Sequence, residues 1–263
     1  MTIDNHPCLV SVPPSAQLAR SVSICVLGRF EVRVADVPIR VQTNVARVLA
    51  LLAVEARPLT RSEMSAVLWA DASPKRTSAN LRSALWRARS DFGEVIETVG
   101  NTITLVADVN VDIEDLRRSA HSLMHDGHAA IDWPCPVLVS ELLPGWDEEW
   151  LLFERERVRQ LSLHALEALC RRLSAAGRHG EAIDAAMYAV AADPLRETGQ
   201  RVLIEAHLRE GNVSEARRQF ELYRSVLLNR LGIAPSRSLE RLVSGETADV
   251  VRFGTGRSSR PGS

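Results

Sequence analysis

The stretch SANLRSALWRARSDFG, residues 78–93, combines an apolar stripe with a cationic face. At 3.6 residues per turn, Leu81, Leu85, Ala88 and Phe92 fall within one arc, which predicts a helix that buries this stripe. The residues predicted to face outward are Arg76, Asn80, Ser83 and Arg87, flanked by Lys75, Arg82 and Trp86. Such a face can bind a partner or can simply be solvated, so the neighbouring sequence has to decide between the two.

The segments around this helix indicate a helix-turn-helix with a wing. Two β-branched runs, SICVLGRFEVRV and VPIRV, are separated by a turn at Ala35 and Asp36 and predict a hairpin. NVARVLALLAVEA has helical spacing, and Thr60 with Glu63 forms a capping box that starts a second helix, MSAVLWA. After the cationic helix, VIETV and TITLV flank the turn pair Gly100-Asn101 and predict a second hairpin. In such a fold the cationic helix enters the DNA major groove, so we favour DNA binding over a solvated face.

The chain from residue 112 onward is predicted to be almost entirely helical. DIEDLRRSAHSLM is amphipathic, WPCPVLVSELLPGW is a proline-containing connector, and a long helical run follows from residue 148 to 177. Positions then recur at a spacing of 34 residues, which is the tetratricopeptide period. The matched positions are Gly177 with Gly211, Ala182 with Ala216, Ala186 with Phe220, and Ala189 with Tyr223. Stacked helix pairs of this kind present a concave surface that holds a peptide or another protein.

Several segments together resemble the SARP family of bacterial transcriptional activators. They are LGRFEVRV, ANLRSALWRARS, the wing, SELLPGWDEEWLLFERERVRQLSLHALEAL and NRLGIAPSRSLERL, and the resemblance covers about residues 23–243. It implies an α+β winged helix-turn-helix of the OmpR/PhoB type, followed by an all-α, tetratricopeptide-like bacterial transcriptional activation domain. The predicted organisation is a flexible tail over residues 1–22, the DNA-binding domain over 23–108, the activation domain over 109–243 and a flexible tail over 244–263.

The resemblance implies a regulator that binds direct repeats near a promoter and helps to recruit RNA polymerase. The implied partners are double-stranded DNA, RNA polymerase and a second copy of the chain on DNA, with no membrane. The resemblance implies that the third helix contacts the DNA groove. Asn101, in the turn of the wing, is predicted to contact DNA as well. The predicted DNA-binding residues are Lys75, Arg76, Asn80, Arg82, Ser83, Trp86, Arg87 and Asn101.

Two departures from the family pattern narrow these expectations. The segment QTNVARVL before the first long helix is less basic than family members often are there, which argues against backbone contacts from that end. No ATPase module is present, and the roughly 22 residues before the first strand are too few for a phospho-receiver domain. Control by nucleotide or by aspartyl phosphate is therefore not expected.

Composition limits the other possible functions. The 263 residues are 46% hydrophobic and 25% charged, enough for two domains, and the formal net charge is -1. Residues 23–106 carry 11 Lys and Arg against 8 Asp and Glu, a net +3, whereas residues 107–263 carry 20 against 24, a net -4. Any nucleic-acid contact is thus expected to be concentrated in the N-terminal part. Lys75 is the only lysine and lacks the upstream glycines of a phosphate-binding loop.

No enzyme, cofactor or metal site is predicted. The cysteines at positions 8, 25, 135 and 170 form no Cys-x-x-Cys pair, and His121, His125 and His128 lack further ligands at suitable spacing. Acidic residues 147–149, Glu154 and Glu156 alternate with arginines, which favours an ion-paired solvated face over paired catalytic carboxylates. No nucleophile, base and orienting group occur as a set.

Two further expectations concern location and mode of action. No apolar run reaches the roughly 20 residues of a membrane span and no signal peptide is recognised, so a cytoplasmic protein is expected. Trp69, at the end of an apolar helix, is expected in the core, whereas Trp86 suits either the core or a stacking contact. The alternative function is a scaffold in which the helical repeats bind a partner protein and the winged helix is not a specific DNA reader.

Overall fold

The structure is a computed structural model that describes residues 21–125, 133 and 135–245. These residues form two compact units, one ending at Ala168 and the other beginning at Leu169. The tails predicted at residues 1–22 and 244–263 lie almost entirely outside the described residues and remain predictions.

The strands lie in two small sheets within the first unit. Within the described residues they are β1 (Val22–Cys25), β2 (Glu31–Val34), β3 (Val37–Ile39), β4 (Leu59–Thr60), β5 (Ile96–Val99), β6 (Thr102–Leu105) and β7 (Asn110–Val111). The first sheet has the order β3-β2-β1-β7 and the second the order β4-β6-β5. All pairs are antiparallel except β1 with β7, which is parallel.

The helices account for most of the described chain. They are α1 (Thr43–Glu55), α2 (Arg61–Leu68), α3 (Pro74–Phe92), α4 (Asp112–His125), α5 (Leu151–Ala175), α6 (His179–Ala192), α7 (Glu197–Glu210), α8 (Val213–Leu231) and α9 (Arg237–Ser244). A 3-10 turn, Pro136–Val139, lies in the described part of the proline-containing connector. None of these described helices has the length and apolar character needed to cross a bilayer.

The first sheet differs in detail from the predicted hairpin. The turn at Ala35 and Asp36 is confirmed, and both residues adopt the left-handed conformation, with φ of 49° and 62°, that two-residue hairpin turns require. SICVLGRFEVRV, however, contains two strands, β1 and β2, because the backbone turns between residues 26 and 30. Strand β7, which the sequence pattern did not indicate, pairs with β1.

The helix-turn-helix and its wing are confirmed. Helix α1 buries nearly every side chain from Val45 to Val54, and it packs against both α2 and α3. The capping box of α2 is present: the Glu63 N–H donates to the Thr60 hydroxyl over 3.2 Å, and the Thr60 N–H donates to the Glu63 carboxylate over 2.7 Å. Strands β5 and β6 form the wing hairpin, in which Gly100 takes a φ of 58° at the turn.

Residues that follow the wing form hydrogen bonds with the winged helix. The Asp112 carboxylate accepts hydrogen bonds from the backbone N–H of Val26 over 2.9 Å and of Leu27 over 3.0 Å. The Arg117 guanidinium donates to the Val54 carbonyl over 2.6 Å, at the end of α1. The compact division therefore falls at Ala168 rather than at the predicted domain boundary of 108, which stays a proposal.

The second unit shows the predicted repeat in three dimensions. Gly177 and Gly211 precede α6 and α8 and both have a left-handed φ, of 75° and 88°. The matched positions of the two helices are all buried: Ala182, Ala186 and Ala189 on α6, and Ala216, Phe220 and Tyr223 on α8. Helix α7 packs against both α6 and α8. The spacing of 34 residues thus corresponds to equivalent positions in successive helix pairs.

Candidate nucleic-acid interface

Helix α3 is placed by an apolar seam. Pro74 occupies its first turn, where a missing N–H costs nothing, and Gly93 follows its last residue with a φ of 81°. The buried residues are Thr77, Leu81, Ala84, Ala88 and Phe92. The prediction of Leu85 in this seam is wrong, because Leu85 is only half-buried and Ala84 takes its place. Since α3 packs against both α1 and α2, the buried arc extends to Thr77 and Ala84 rather than to Leu85.

The predicted DNA-binding residues lie on the other side of α3 and in the wing. Lys75, Arg76, Arg82, Ser83 and Trp86 are exposed, as is Asn101 in the β5–β6 turn, while Asn80 and Arg87 are half-buried. The indole of Trp86 is 69% exposed, which excludes a core position for it. The seven positions on α3 therefore share one face of the helix, opposite the seam.

One cleft brings a residue of α3 together with the wing. This open cleft, of about 940 Å³, lies between α2, the start of α3 and the β5–β6 turn, and Arg82 and Asn101 both line it. Arg61 lines it too, and the Arg61 N–H donates to the Asn101 carbonyl over 3.1 Å. The sequence pattern did not indicate half-buried Arg61, although its position directly after the Thr60 cap places it at the start of α2.

The cations of α3 have no carboxylate partners among the residues that the structure describes. No Asp or Glu in the described part of the chain lies within ion-pair distance of Lys75, Arg76, Arg82, Arg87 or Arg89. Asp91 is the only acidic residue within the helix itself. The positive charge of this face is therefore available to an anionic partner.

Arg87 nevertheless has a partner inside the protein. Its guanidinium Nη1 donates a hydrogen bond to the side-chain carbonyl oxygen of Gln42, the residue that precedes α1. The sequence placed Arg87 on the outward face but did not indicate this contact, because the two residues are 45 positions apart.

Trp69 and its surroundings correct another expectation. Trp69 is half-buried rather than part of the core. The Arg47 guanidinium lies 5.7 Å from the centre of its ring, a cation–π distance, and Arg47 Nε lies 2.6 Å from a carboxylate oxygen of Glu148. The indole is thus partly covered by a cation that is itself ion-paired, which a helical pattern alone cannot reveal.

The acidic residues of α5 form the ion-paired face that the sequence predicts. Arg157 lies 2.9 Å from the Glu154 carboxylate, and Arg159 lies 2.9 Å from that of Glu156. Hydrogen bonds from Arg159 and Gln160 lower the pKa of Glu156 to about 2. The Glu156 carboxylate therefore stays ionised and engaged with arginine, which does not suit a general acid.

Arg155 differs from its neighbours on α5. Its guanidinium donates to the backbone carbonyls of Leu142, Leu143 and Trp146, at 3.0, 2.5 and 2.8 Å. It therefore ties the connector to the start of α5 instead of joining the ion-paired face.

The remaining candidates for chemistry are histidines and cysteines. The rings of His121 and His125 lie with their centroids 4.7 Å apart and tilted by 48°, whereas His128 lies outside the described residues. Within the described part, no group of three or more His, Cys, Asp or Glu is arranged to hold a metal ion. Burial raises the pKa of the Cys25 thiol and raises that of Cys170 to about 11, so neither thiol has the character of a reactive nucleophile.

Comparison with known proteins agrees with the two-part architecture. Residues 127–245 match the family model described as the bacterial transcriptional activator domain. The chain is 29% identical over 209 residues to the regulatory protein AfsR of Streptomyces coelicolor, and 26% identical over 217 residues to that of Streptomyces griseus. Each match covers 75% of this chain but only 21% of the relative, so the chain spans about a fifth of the length of these proteins.

A solved structure shares the fold. It is Mycobacterium tuberculosis EmbR in complex with a low-affinity phosphopeptide, with a TM-score of 0.70 and 18% sequence identity over 86% of this chain and 64% of that one. This likeness shows a shared fold, and the sequence matches agree with the resemblance to the SARP family of transcriptional activators.

Proposed function

We propose that this chain is a SARP-family activator of transcription that binds double-stranded DNA sequence-specifically and uses α3 as its recognition helix. The observation that carries the proposal is the absence, in the described residues, of any carboxylate beside the five cations of α3. On the solvated face of another arginine-rich helix, α5, Arg157 and Arg159 are instead neutralised by glutamates at i,i+3. Leaving α3 uncompensated favours a polyanionic partner over solvent.

The side chains on this face have the donor groups that base edges need. Arginine can donate two parallel hydrogen bonds to guanine, and asparagine can pair in the same way with adenine. Arg76 and Asn80 lie one helical turn apart, and the exposed Trp86 offers an apolar surface to thymine methyl groups. Arg82, Arg61 and Asn101 line the cleft beside the wing and are proposed to contact the backbone.

Two further parts of the proposal concern partners. A single recognition helix reads only a few base pairs, so selective binding calls for two copies of the chain on DNA. We propose head-to-tail copies on direct repeats near a promoter. The tetratricopeptide-like helices, in a part of the chain with a net charge of -4, are unsuited to DNA and are proposed to contact RNA polymerase.

The test measures DNA affinity and its dependence on salt. Duplexes selected from a randomised pool by the full-length chain serve as probes in fluorescence anisotropy. Arg76→Ala combined with Arg82→Ala is expected to weaken binding by about 10-fold or more. The slope of log K against log salt is expected to fall by about 1, because Arg82 is proposed to contact a phosphate and Arg76 a base edge.

A matched control removes the same number of arginines from α5. Arg157→Ala combined with Arg159→Ala changes the net charge equally but deletes ion-paired cations, so affinity and salt slope are expected to stay at wild-type values. Equal loss in both double variants would mean that net charge rather than α3 governs binding. Failure of the wild-type chain to select any duplex would favour the protein-interaction scaffold instead.

A further inference from the structure

Gln42 precedes the first turn of α1 but does not cap it. The residue before a helix commonly uses its side chain to accept a hydrogen bond from an N–H of the first turn. Gln42 has the extended backbone of such a position, with φ of -73° and ψ of 147°, yet its side chain makes no capping bond. Its side-chain carbonyl oxygen accepts from Arg87 on α3 instead. The side chain is thus engaged with the recognition helix rather than with its own.

The chemistry of this contact leaves Arg87 able to bind DNA. The amide of Gln42 is neutral, so it holds the guanidinium without cancelling its charge. A guanidinium has five N–H donors in a rigid plane, and the bond to Gln42 uses a single nitrogen, Nη1. No other hydrogen bond or ion pair of this side chain occurs with the described residues. The donors that remain are sufficient for a phosphate or for the edge of a guanine.

We propose that Gln42 is a positioning residue that pre-orients the Arg87 guanidinium for DNA. An arginine side chain loses considerable rotational freedom when it docks, and a side chain already held in place loses less. Arg87 is half-buried while Arg76 and Arg82 are exposed, so it is the cation of this group that the protein itself restrains. The inference rests on the proposed function, because it assigns a role within the same interface.

Four variants of the full-length chain test the inference on a duplex selected from a randomised pool by the wild type. They are Arg87→Ala, Gln42→Ala, the double variant and Gln42→Glu. Gln42→Ala is expected to weaken binding by about 3- to 10-fold, the size of one immobilised side chain, with an unchanged salt slope. In the Arg87→Ala background the same change is expected to have no further effect, since the residue acts through Arg87.

Gln42→Glu separates positioning from charge. A carboxylate there would form an ion pair with Arg87 and is expected to weaken binding more than alanine does, with a salt slope lower by about 1. Gln219→Ala is the matched control, because it also removes a glutamine that hydrogen-bonds another side chain, Gln200 over 2.7 Å, but in the second unit. It is expected to leave DNA affinity unchanged.

The outcomes distinguish the inference from the function on which it rests. If Arg87→Ala binds as tightly as wild type, the recognition role of α3 fails, and the inference with it. If Arg87→Ala weakens binding but Gln42→Ala does not, only the positioning role is overturned. An equal loss on adding Gln42→Ala to Arg87→Ala would show that Gln42 contacts DNA itself, which also overturns it.

Discussion

Helices α3 and α5 are both rich in arginine but use it in opposite ways. On α5, Arg157 and Arg159 each lie 2.9 Å from a glutamate one turn earlier. On α3, none of the described carboxylates neutralises a cation. Among the described residues, Arg87 donates its side-chain hydrogen bond to the neutral amide of Gln42. Counting arginines therefore says little about function, whereas the distribution of their partners separates a solvated face from one that awaits an anion.

The largest expected effect concerns the seam that holds α3 in place. Leu81→Ala is expected to lower the free energy of unfolding by about 2–5 kcal/mol, because Leu81 is 2% exposed and its truncation leaves a cavity. The neighbouring Arg82→Ala is expected to change stability by less than about 0.5 kcal/mol, since the side chain is exposed and unpaired. Urea denaturation of both variants gives the comparison. A large stability loss in Arg82→Ala would mean that the outward face is structural.

The seam of α3 also shows which features of the fold a sequence pattern predicts and which it does not. Helical periodicity predicts Leu81, Ala88 and Phe92 in the seam. Turn residues predict the two hairpins, the Thr-x-x-Glu pattern predicts the capping box, and the recurrence of matched positions predicts the 34-residue repeat. Leu85 was misplaced because a period gives the arc of large residues, while burial depends on where α1 and α2 lie. Leu85→Ala is accordingly expected to cost less than Leu81→Ala.

The ion-pair distribution could not be read from the sequence in the same way. The i,i+3 pairs of α5 follow from spacing within one helix, and their prediction is confirmed. The contacts of Gln42 with Arg87, of Glu148 with Arg47 and of Asp112 with Val26 join residues 45, 101 and 86 positions apart. Only the fold brings such residues together. The predicted DNA contacts share one face and the wing turn, but their role remains a proposal.

The start of α5 carries a candidate contact surface for a neighbouring copy of the chain on DNA. Its first turn exposes Leu152 by 63% and Phe153 by 80%, an apolar pair beside the ion-paired face. If copies bind head to tail on direct repeats about 10–11 base pairs apart, Leu152→Ala with Phe153→Ala is expected to reduce cooperativity by about 10-fold without changing single-site affinity. Mobility shifts with one and two sites measure both quantities.

Altered spacing provides the control for that prediction. Inserting about five base pairs turns the second site to the opposite side of the duplex and is expected to abolish cooperativity, and about ten is expected to restore part of it. Equal affinity at all three spacings would point to independent monomers. Cooperativity that survives the double variant would move the contact away from α5.

The Asp112 carboxylate neither pairs with an arginine, as the glutamates of α5 do, nor lies beside the cations of α3. It accepts hydrogen bonds from backbone N–H groups. Asp112→Ala is expected to cost about 1–3 kcal/mol of unfolding free energy, because the N–H groups of the buried Val26 and Leu27 lose their acceptor. Asp115→Ala, on the same helix, removes an exposed carboxylate paired with Arg118 and is expected to cost at most about 1 kcal/mol. Similar losses in the two variants would contradict a special role for Asp112.

The smallest expected effect tests the ion pairing of α5 directly. Arg159 and Gln160 hold the pKa of Glu156 at about 2, below its ordinary value of 4.5. A lowered pKa in the folded state means that the stabilisation is fully present above pH 4.5 and is lost as the pH falls from there towards 2. Because Glu156 is exposed, the effect on thermal stability at neutral pH is expected to be undetectable, so the pKa itself is the better measurement.

In Arg159→Ala, NMR titration of the Glu156 side chain is expected to show a pKa that rises towards 4.5. The matched change on α3, Arg82→Ala, is expected to shift no carboxylate pKa in the described part of the chain, because none lies near that cation. A Glu156 pKa that stays near 2 without Arg159 would show that Gln160 alone sustains it, and would weaken the contrast between the two helices.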